Sequence, residues 1–186
     1  VNTRDLNGVE PFGYYQLTVN DVSCAVNEAS EDTCACPDQR CISLQGDLGQ
    51  CGPRFAEREP NQTSDEALST ENTISFDQRV TGRIERVGDV DTYWVTLPAG
   101  RFAIRTESYC SQRPLNTSLR VRTAGGITAA IDQDSGPGRL AEISSLEVPR
   151  QQTYIIEVGA EGGGTGSYML AVDLLELGGD VGSDDT

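Results

Sequence analysis

The residues best suited to chemistry in this chain are oxygen donors placed two apart. Glu57, Glu59 and Asn61 alternate along a Pro-containing lead-in, and Asp89 and Asp91 alternate in a Gly-containing hairpin sequence. In extended backbone, side chains two apart share a side. Two such acidic sets brought together repel each other unless a cation lies between them. A hard cation of the calcium type takes about six to eight oxygens from carboxylates, amides and backbone. The competing reading is five solvated surface acids in a chain rich in them.

Other chemistries are excluded by what the chain lacks. It holds no His, and its 14 cations are all Arg. Without His there is no Ser-His-Asp or Cys-His nucleophile. No phosphate-cradling loop is present, so the chain reads as a non-enzyme. The formal charge of −15 repels phosphate backbones, which argues against nucleic-acid binding. No apolar run approaches the ~20 residues that span a bilayer, so no membrane insertion is expected. The six cysteines are Cys24, Cys34, Cys36, Cys41, Cys51 and Cys110. Most crowd into a polar stretch with little core of its own, which suits disulfides and an oxidising, extracellular or cell-surface location. Cys34, Cys36 and Cys41 could instead gather a metal as thiolates, although paired knuckles and His are missing. The connectivity stays open.

The elements that must position these groups are strands. Expected strands are Thr73–Phe76, Val80–Arg86, Thr92–Leu97, Arg101–Glu107, Ser118–Thr123, Ile127–Ile131, Leu140–Val148, Thr153–Val158 and Ser167–Leu175. Tyr93, Val95 and Leu97 alternate with Thr92, Trp94 and Thr96, and Tyr168, Leu170 and Val172 alternate with Met169, Ala171 and Asp173. The apolar parity shifts inside Leu140–Val148, which predicts a bulge at Ser144–Ser145. Gly- and Pro-rich turns separate the strands, and at most one helical turn is expected, near Asp65–Leu68. The fold class is therefore all-β: an antiparallel, jelly-roll-like β-sandwich with a disulfide-stapled N-terminal linker. The sandwich is placed at 59–175, after a Cys-rich linker at 23–58, and an acidic Gly-rich tail follows at 176–186.

One strand is written twice. Gly13-Tyr14-Tyr15-Gln16-Leu17-Thr18-Val19 mirrors Gly166-Ser167-Tyr168-Met169-Leu170-Ala171-Val172, and Ser30-Glu31-Asp32-Thr33 mirrors Ser183-Asp184-Asp185-Thr186 at the same separation. Residues 1–22 thus read as the closing strand of a preceding repeat or as a donor strand. A lone strand is unstable in water, so Tyr15, Leu17 and Val19 are expected to form an assembly strand that pairs with a neighbouring copy.

An ordered set of motifs covers residues 59–175: Glu59-Pro60-Asn61, Gly82-Arg83-Ile84, Gly88-Asp89-Val90-Asp91-Thr92-Tyr93-Trp94-Val95, Leu97-Pro98-Ala99-Gly100, Leu115-Asn116-Thr117-Ser118-Leu119, Tyr154-Ile155-Ile156-Glu157-Val158 and Gly164-Thr165-Gly166-Ser167-Tyr168. Through them the chain resembles the bacterial pre-peptidase C-terminal domain. The resemblance implies a non-catalytic sandwich found beside secreted proteases and in surface proteins. It also implies calcium, with Glu57, Glu59, Asn61 and Asp91 at the ligand positions and Asp89 nearby; Gly88 departs from the pattern.

The function expected is a secreted or cell-surface structural or adhesive module, a repeat or subunit of an extended assembly joined by strand addition to neighbouring copies. The alternative is an accessory module that ties a secreted hydrolase to an extracellular polymer or protein. Asp132-Gln133-Asp134-Ser135-Gly136 reads as a turn rather than a second oxygen site. Trp94 reads either as an exposed anchor or as covered by a loop.

Overall fold

The structure, a computed structural model, describes residues 55–109 and 115–178, and the backbone alone of 23–24, 39–45 and 48–53. The assembly strand with Tyr15, Leu17 and Val19 lies outside the described residues, as do Cys34, Cys36 and Cys110. Of Cys24, Cys41 and Cys51 only the backbone is described.

The stretch expected to be a linker carries strands of its own. β1 (Ser23–Cys24), β2 (Gln39–Gln45) and β3 (Leu48–Pro53) form a three-stranded antiparallel sheet in the order β1-β3-β2. Cys41 stands opposite Cys51 in its register. Nothing in the composition of this stretch shows the apolar alternation by which strands are usually read.

From Thr73 onward each expected strand forms. They are β4 (Thr73–Ile74), β5 (Arg79–Ile84), β6 (Val90–Leu97), β7 (Gly100–Ser108), β8 (Thr117–Thr123), β9 (Thr128–Asp132), β10 (Glu142–Val148), β11 (Gln152–Ala160) and β12 (Gly166–Leu177). A four-stranded sheet, β10-β7-β12-β5, faces a five-stranded sheet, β4-β6-β11-β8-β9. Apart from the β8–β9 hairpin, successive strands from β5 onward pass from one sheet to the other, as in a jelly roll. Pairing is antiparallel except for the short β4, which runs parallel to β6.

The alternation read from sequence is what fills the space between the sheets. Tyr93, Val95, Leu97, Phe102, Ile104, Leu170 and Val172 are all fully buried in one core. Full burial of each such aliphatic or aromatic side chain is worth about 1.5–3 kcal/mol. The register of β10 on β7 slips between Ile143 and Leu146, which places a bulge at Ser144–Ser145. That slip lets both Ile143 and Leu146 reach the core.

β12 is an interior strand, bonded to β5 on one side and to β7 on the other. Its outward residues are covered too. Met169 and Ala171 are buried, beneath ion pairs that link Arg79 with Glu107 and Arg105 with Glu107 and Asp173.

Candidate metal centre

The lead-in to the sandwich is itself an edge strip. Thr81 N donates to Phe55 O at 2.9 Å and Glu57 N donates to Thr81 O at 3.0 Å. This pins residues 55–57 parallel to the free edge of β5, with Ala56 bridged to Thr81. The sandwich thus begins before residue 59. Further on, Asn72 holds both backbone groups of Arg58: it accepts from Arg58 N at 2.9 Å and donates to Arg58 O at 2.6 Å. Thr92 N donates to Asn61 O at 3.0 Å, which fixes the end of the strip against β6. The donor set is therefore carried on backbone tied to two strands.

One oxygen each of Glu57, Glu59 and Asp91 lies within 4.8 Å of the others. Calcium–oxygen bonds run about 2.3–2.6 Å, so ligands on opposite sides of one ion stand about that far apart. Asn61 is fully buried beside them. Its side-chain N–H donates to Glu57 Oε2 at 3.1 Å, and its backbone N–H donates to Glu59 Oε2 at 3.0 Å. Asp89 sits a step away on the β5–β6 hairpin, where its Oδ2 accepts from Glu85 N at 2.7 Å. The structure thus brings Glu57, Glu59, Asn61 and Asp91 together and leaves Asp89 beside the group.

Three oxygens at this place, Asn61 Oδ1, Asp89 Oδ1 and Asp91 Oδ1, are buried without a hydrogen-bond partner in the protein, although Arg86 Nη2 makes an ion pair with Asp89 Oδ1 at 3.8 Å. A buried acceptor left unpaired costs about 1–3 kcal/mol, and more when charged. Amide and carboxylate oxygens are hard acceptors, so a cation is a partner that would satisfy those of Asn61 and Asp91.

Beneath the carboxylates lie Tyr93 and Tyr168, both fully buried at the inward positions of their strands. Tyr93 Oη is 2.7 Å from Glu57 Oε2, Tyr168 Oη is 2.7 Å from Asp91 Oδ2, and the two hydroxyls are 2.8 Å apart. Tyr168 donates to Asp91 and Tyr93 donates to Glu57, and the two hydroxyls also lie within hydrogen-bond distance of each other. Burial, then the charge of Glu57, push the Asp91 carboxyl up to about 9, against the hydrogen bond from Tyr168. Burial also raises Glu57, against hydrogen bonds from Tyr93, Arg83 N and Asn61. Both tyrosines are driven well above their ordinary value by burial and stay neutral.

This tyrosine pair needs room, and Gly82 provides it. Gly82 stands opposite Tyr168 in the register, and a Cβ there would lie 2.3 Å from the Tyr168 hydroxyl and 2.5 Å from that of Tyr93. A tyrosine at an inward position with a mid-strand glycine across from it is the signal that could have found this pair.

Trp94 is covered rather than displayed. Its Nε1 donates to Ser64 O at 2.8 Å, in the helix α1 (Ser64–Ser69), whose N-terminus is a Thr63–Glu66 capping box. Asp132 is a turn residue: its carboxylate accepts from Ser135 N at 3.1 Å and from Glu142 N at 2.8 Å. Among the described residues no helix is long and apolar enough to cross a membrane.

No protein-family model matches the chain, and no curated protein sequence matches it. Among solved structures, the pre-peptidase C-terminal domain of collagenase from Bacillus anthracis is similar with a TM-score of 0.44 and 19% identity, over 54% of this chain and 92% of that one. PliG of Aeromonas hydrophila, a periplasmic inhibitor of g-type lysozyme, is similar with a TM-score of 0.33 and 15% identity, over 54% of this chain and 95% of that one. The first of these is a solved example of the domain type that the sequence motifs resemble.

Proposed function

We propose that this chain is a secreted, non-catalytic β-sandwich module, stiffened by calcium, that serves as a structural or adhesive unit among neighbouring copies outside the cell. The observation that carries the calcium part is the pair of buried oxygens on Asn61 and Asp91 that lack a hydrogen-bond partner, beside the Glu57–Glu59–Asp91 cluster. An all-oxygen donor set favours a hard cation over zinc or copper. Bound there, calcium would tie the lead-in strip to β6 and relieve the repulsion among the acids. The ion has a structural role in this reading, with no reaction assigned to it. The Cys-rich stretch supports an oxidising location, where disulfides would staple it. The repeated strand supports assembly with other copies.

The second reading is an accessory module that binds an extracellular polymer or protein for a secreted hydrolase. Ile127 and Ile131, 72% and 58% exposed beside and on the edge strand β9, favour it. Retention on collagen, chitin or cellulose that is lost in an Ile127→Ser/Ile131→Ser variant would bring it forward.

Thermal unfolding in calcium and in chelator tests the leading reading. Calcium should raise the melting temperature, by an amount equivalent to about 2.7 kcal/mol at a hundredfold excess over Kd. Terbium, a luminescent calcium substitute, should gain emission on excitation of tyrosine, given Tyr93 and Tyr168 directly beneath the carboxylates. An unchanged melting temperature together with silent terbium would remove calcium from the account.

A further inference from the structure

We propose that Cys41 and Cys51 form a disulfide that staples the β2–β3 hairpin. This rests on the oxidising location in the reading above, and it selects one bridge from a connectivity that the sequence leaves open. In the sheet β1-β3-β2 the register sets Cys41 on β2 directly opposite Cys51 on β3. The pairing runs unbroken from Gln39↔Pro53 to Ser43↔Gly49, so the slip beyond Ser43 leaves the two cysteines in place.

A proline fixes the type of this pair. Opposed residues in an antiparallel ladder alternate between pairs that exchange both N–H···O bonds and pairs that exchange neither. Pro53 has no N–H, so Gln39↔Pro53 is of the second type. Cys41↔Cys51 lies two residues along both strands and is therefore of the same type. Such pairs hold their Cα atoms about 4.5 Å apart. A disulfide spans Cα separations of about 4.4–6.8 Å, so the bridge fits the ladder as it stands.

The same ladder ranks the rival partner. Cys24 on β1 stands opposite Gly49, two residues from Cys51 on β3, so Cys24 shares a face of the sheet with Cys51 and Cys41. It is a diagonal neighbour of Cys51, however, and diagonal neighbours lie about 7–8 Å apart, beyond the reach of a disulfide. Cys24 is left to pair with Cys34, Cys36 or Cys110. The bridge also supplies what the hairpin lacks. Over its regular part, the face that carries the cysteines otherwise holds Gln39 and Ser43 on β2 and Gly49 and Pro53 on β3. No large apolar residue stands among them, and a covalent link takes the place of a core.

The oxidant is another disulfide, that of a thiol–disulfide oxidoreductase or of a small thiol such as glutathione. One cysteine thiolate attacks it, forms a mixed disulfide and expels one thiol. The second thiolate attacks the protein sulfur of that mixed disulfide and expels the other thiol. Two protein thiols are oxidised, one disulfide is reduced, and the two protons end on the released thiols.

Peptide mapping of the full-length wild-type chain, exported to an oxidising compartment, tests the pair. Free thiols are blocked with N-ethylmaleimide and the chain is digested without reductant. Trypsin cuts after Arg40 and Arg54, and Asp-N protease cuts before Asp47. Peptides 41–46 and 47–54 should then travel as one species, two hydrogens lighter than their sum, and separate on reduction. Either cysteine joined to a peptide that carries Cys24, Cys34, Cys36 or Cys110 would overturn the pair. So would maleimide on Cys41 or Cys51 while other cysteines are bridged, a result that leaves the oxidising location standing. Maleimide on all six cysteines would sink the location together with the pair.

Discussion

Replacing Asp91 with asparagine separates the charge of the candidate metal centre from its shape. The folded Asp91 carboxyl titrates at about 9, against an ordinary value of 3.8. At neutral pH without a cation, folding therefore takes up a proton. The stability contributed by the protonated group is fully present below about pH 4 and is lost as pH rises through about 9. At pH 7 the loss spans roughly three pH units at about 1.36 kcal/mol each, on the order of 4 kcal/mol. The substituted amide has no charge to lose, and its oxygen can still accept from Tyr168. In chelator at pH 7 the Asp91→Asn variant should thus melt higher than wild type, by on the order of 10 °C. The gap should close near pH 4 and widen toward pH 9. In saturating calcium the order should reverse, because wild type gains the binding energy and the variant gains little of it. Scanning calorimetry across that pH range, with and without calcium, reads all of this. A variant that is less stable than wild type by the same margin at every pH, and that keeps the full calcium shift, would refute both the buried-charge argument and the ligand assignment.

Two further substitutions probe the supports of the centre. Gly82→Ala should cost about 3 kcal/mol in denaturant unfolding and weaken terbium emission, because the new Cβ must push the Tyr93–Tyr168 pair off the carboxylates. Trp94→Phe removes the hydrogen bond to Ser64 O and should cost about 1 kcal/mol, with faster amide exchange at Ala67 and Thr70 in α1 and an unchanged calcium shift.

Much of the sandwich was legible because its strands obey a two-residue period and are punctuated by glycine. Even the slip at Ser144–Ser145 shows in the sequence as a change of apolar parity. That Glu57, Glu59 and Asn61 would gather was legible for a similar reason: they alternate in sequence, and the fold brings them together beside Asp91. The rest depends on partners far apart in sequence. Tyr93 and Tyr168 read as ordinary core residues until β5, β6 and β12 bring their hydroxyls to 2.8 Å. Asn72 reads as a loop residue, yet it clamps Arg58. The sheet of β1, β2 and β3 stayed hidden because its strands lack apolar alternation, so nothing local distinguishes them from a polar connector.

The strip of residues 55–57 has a mechanical consequence. It runs parallel to β5, whereas β12 runs antiparallel to it, so the polypeptide enters and leaves the sandwich at the same end. Tension applied through both ends would peel the strip from β5 bond by bond, starting with the two that hold Thr81. Glu57 stands at the far end of that seam, tied by its side chain to Tyr93 and Asn61. An ion lodged there would act as a rivet, met by the load before it reaches the core.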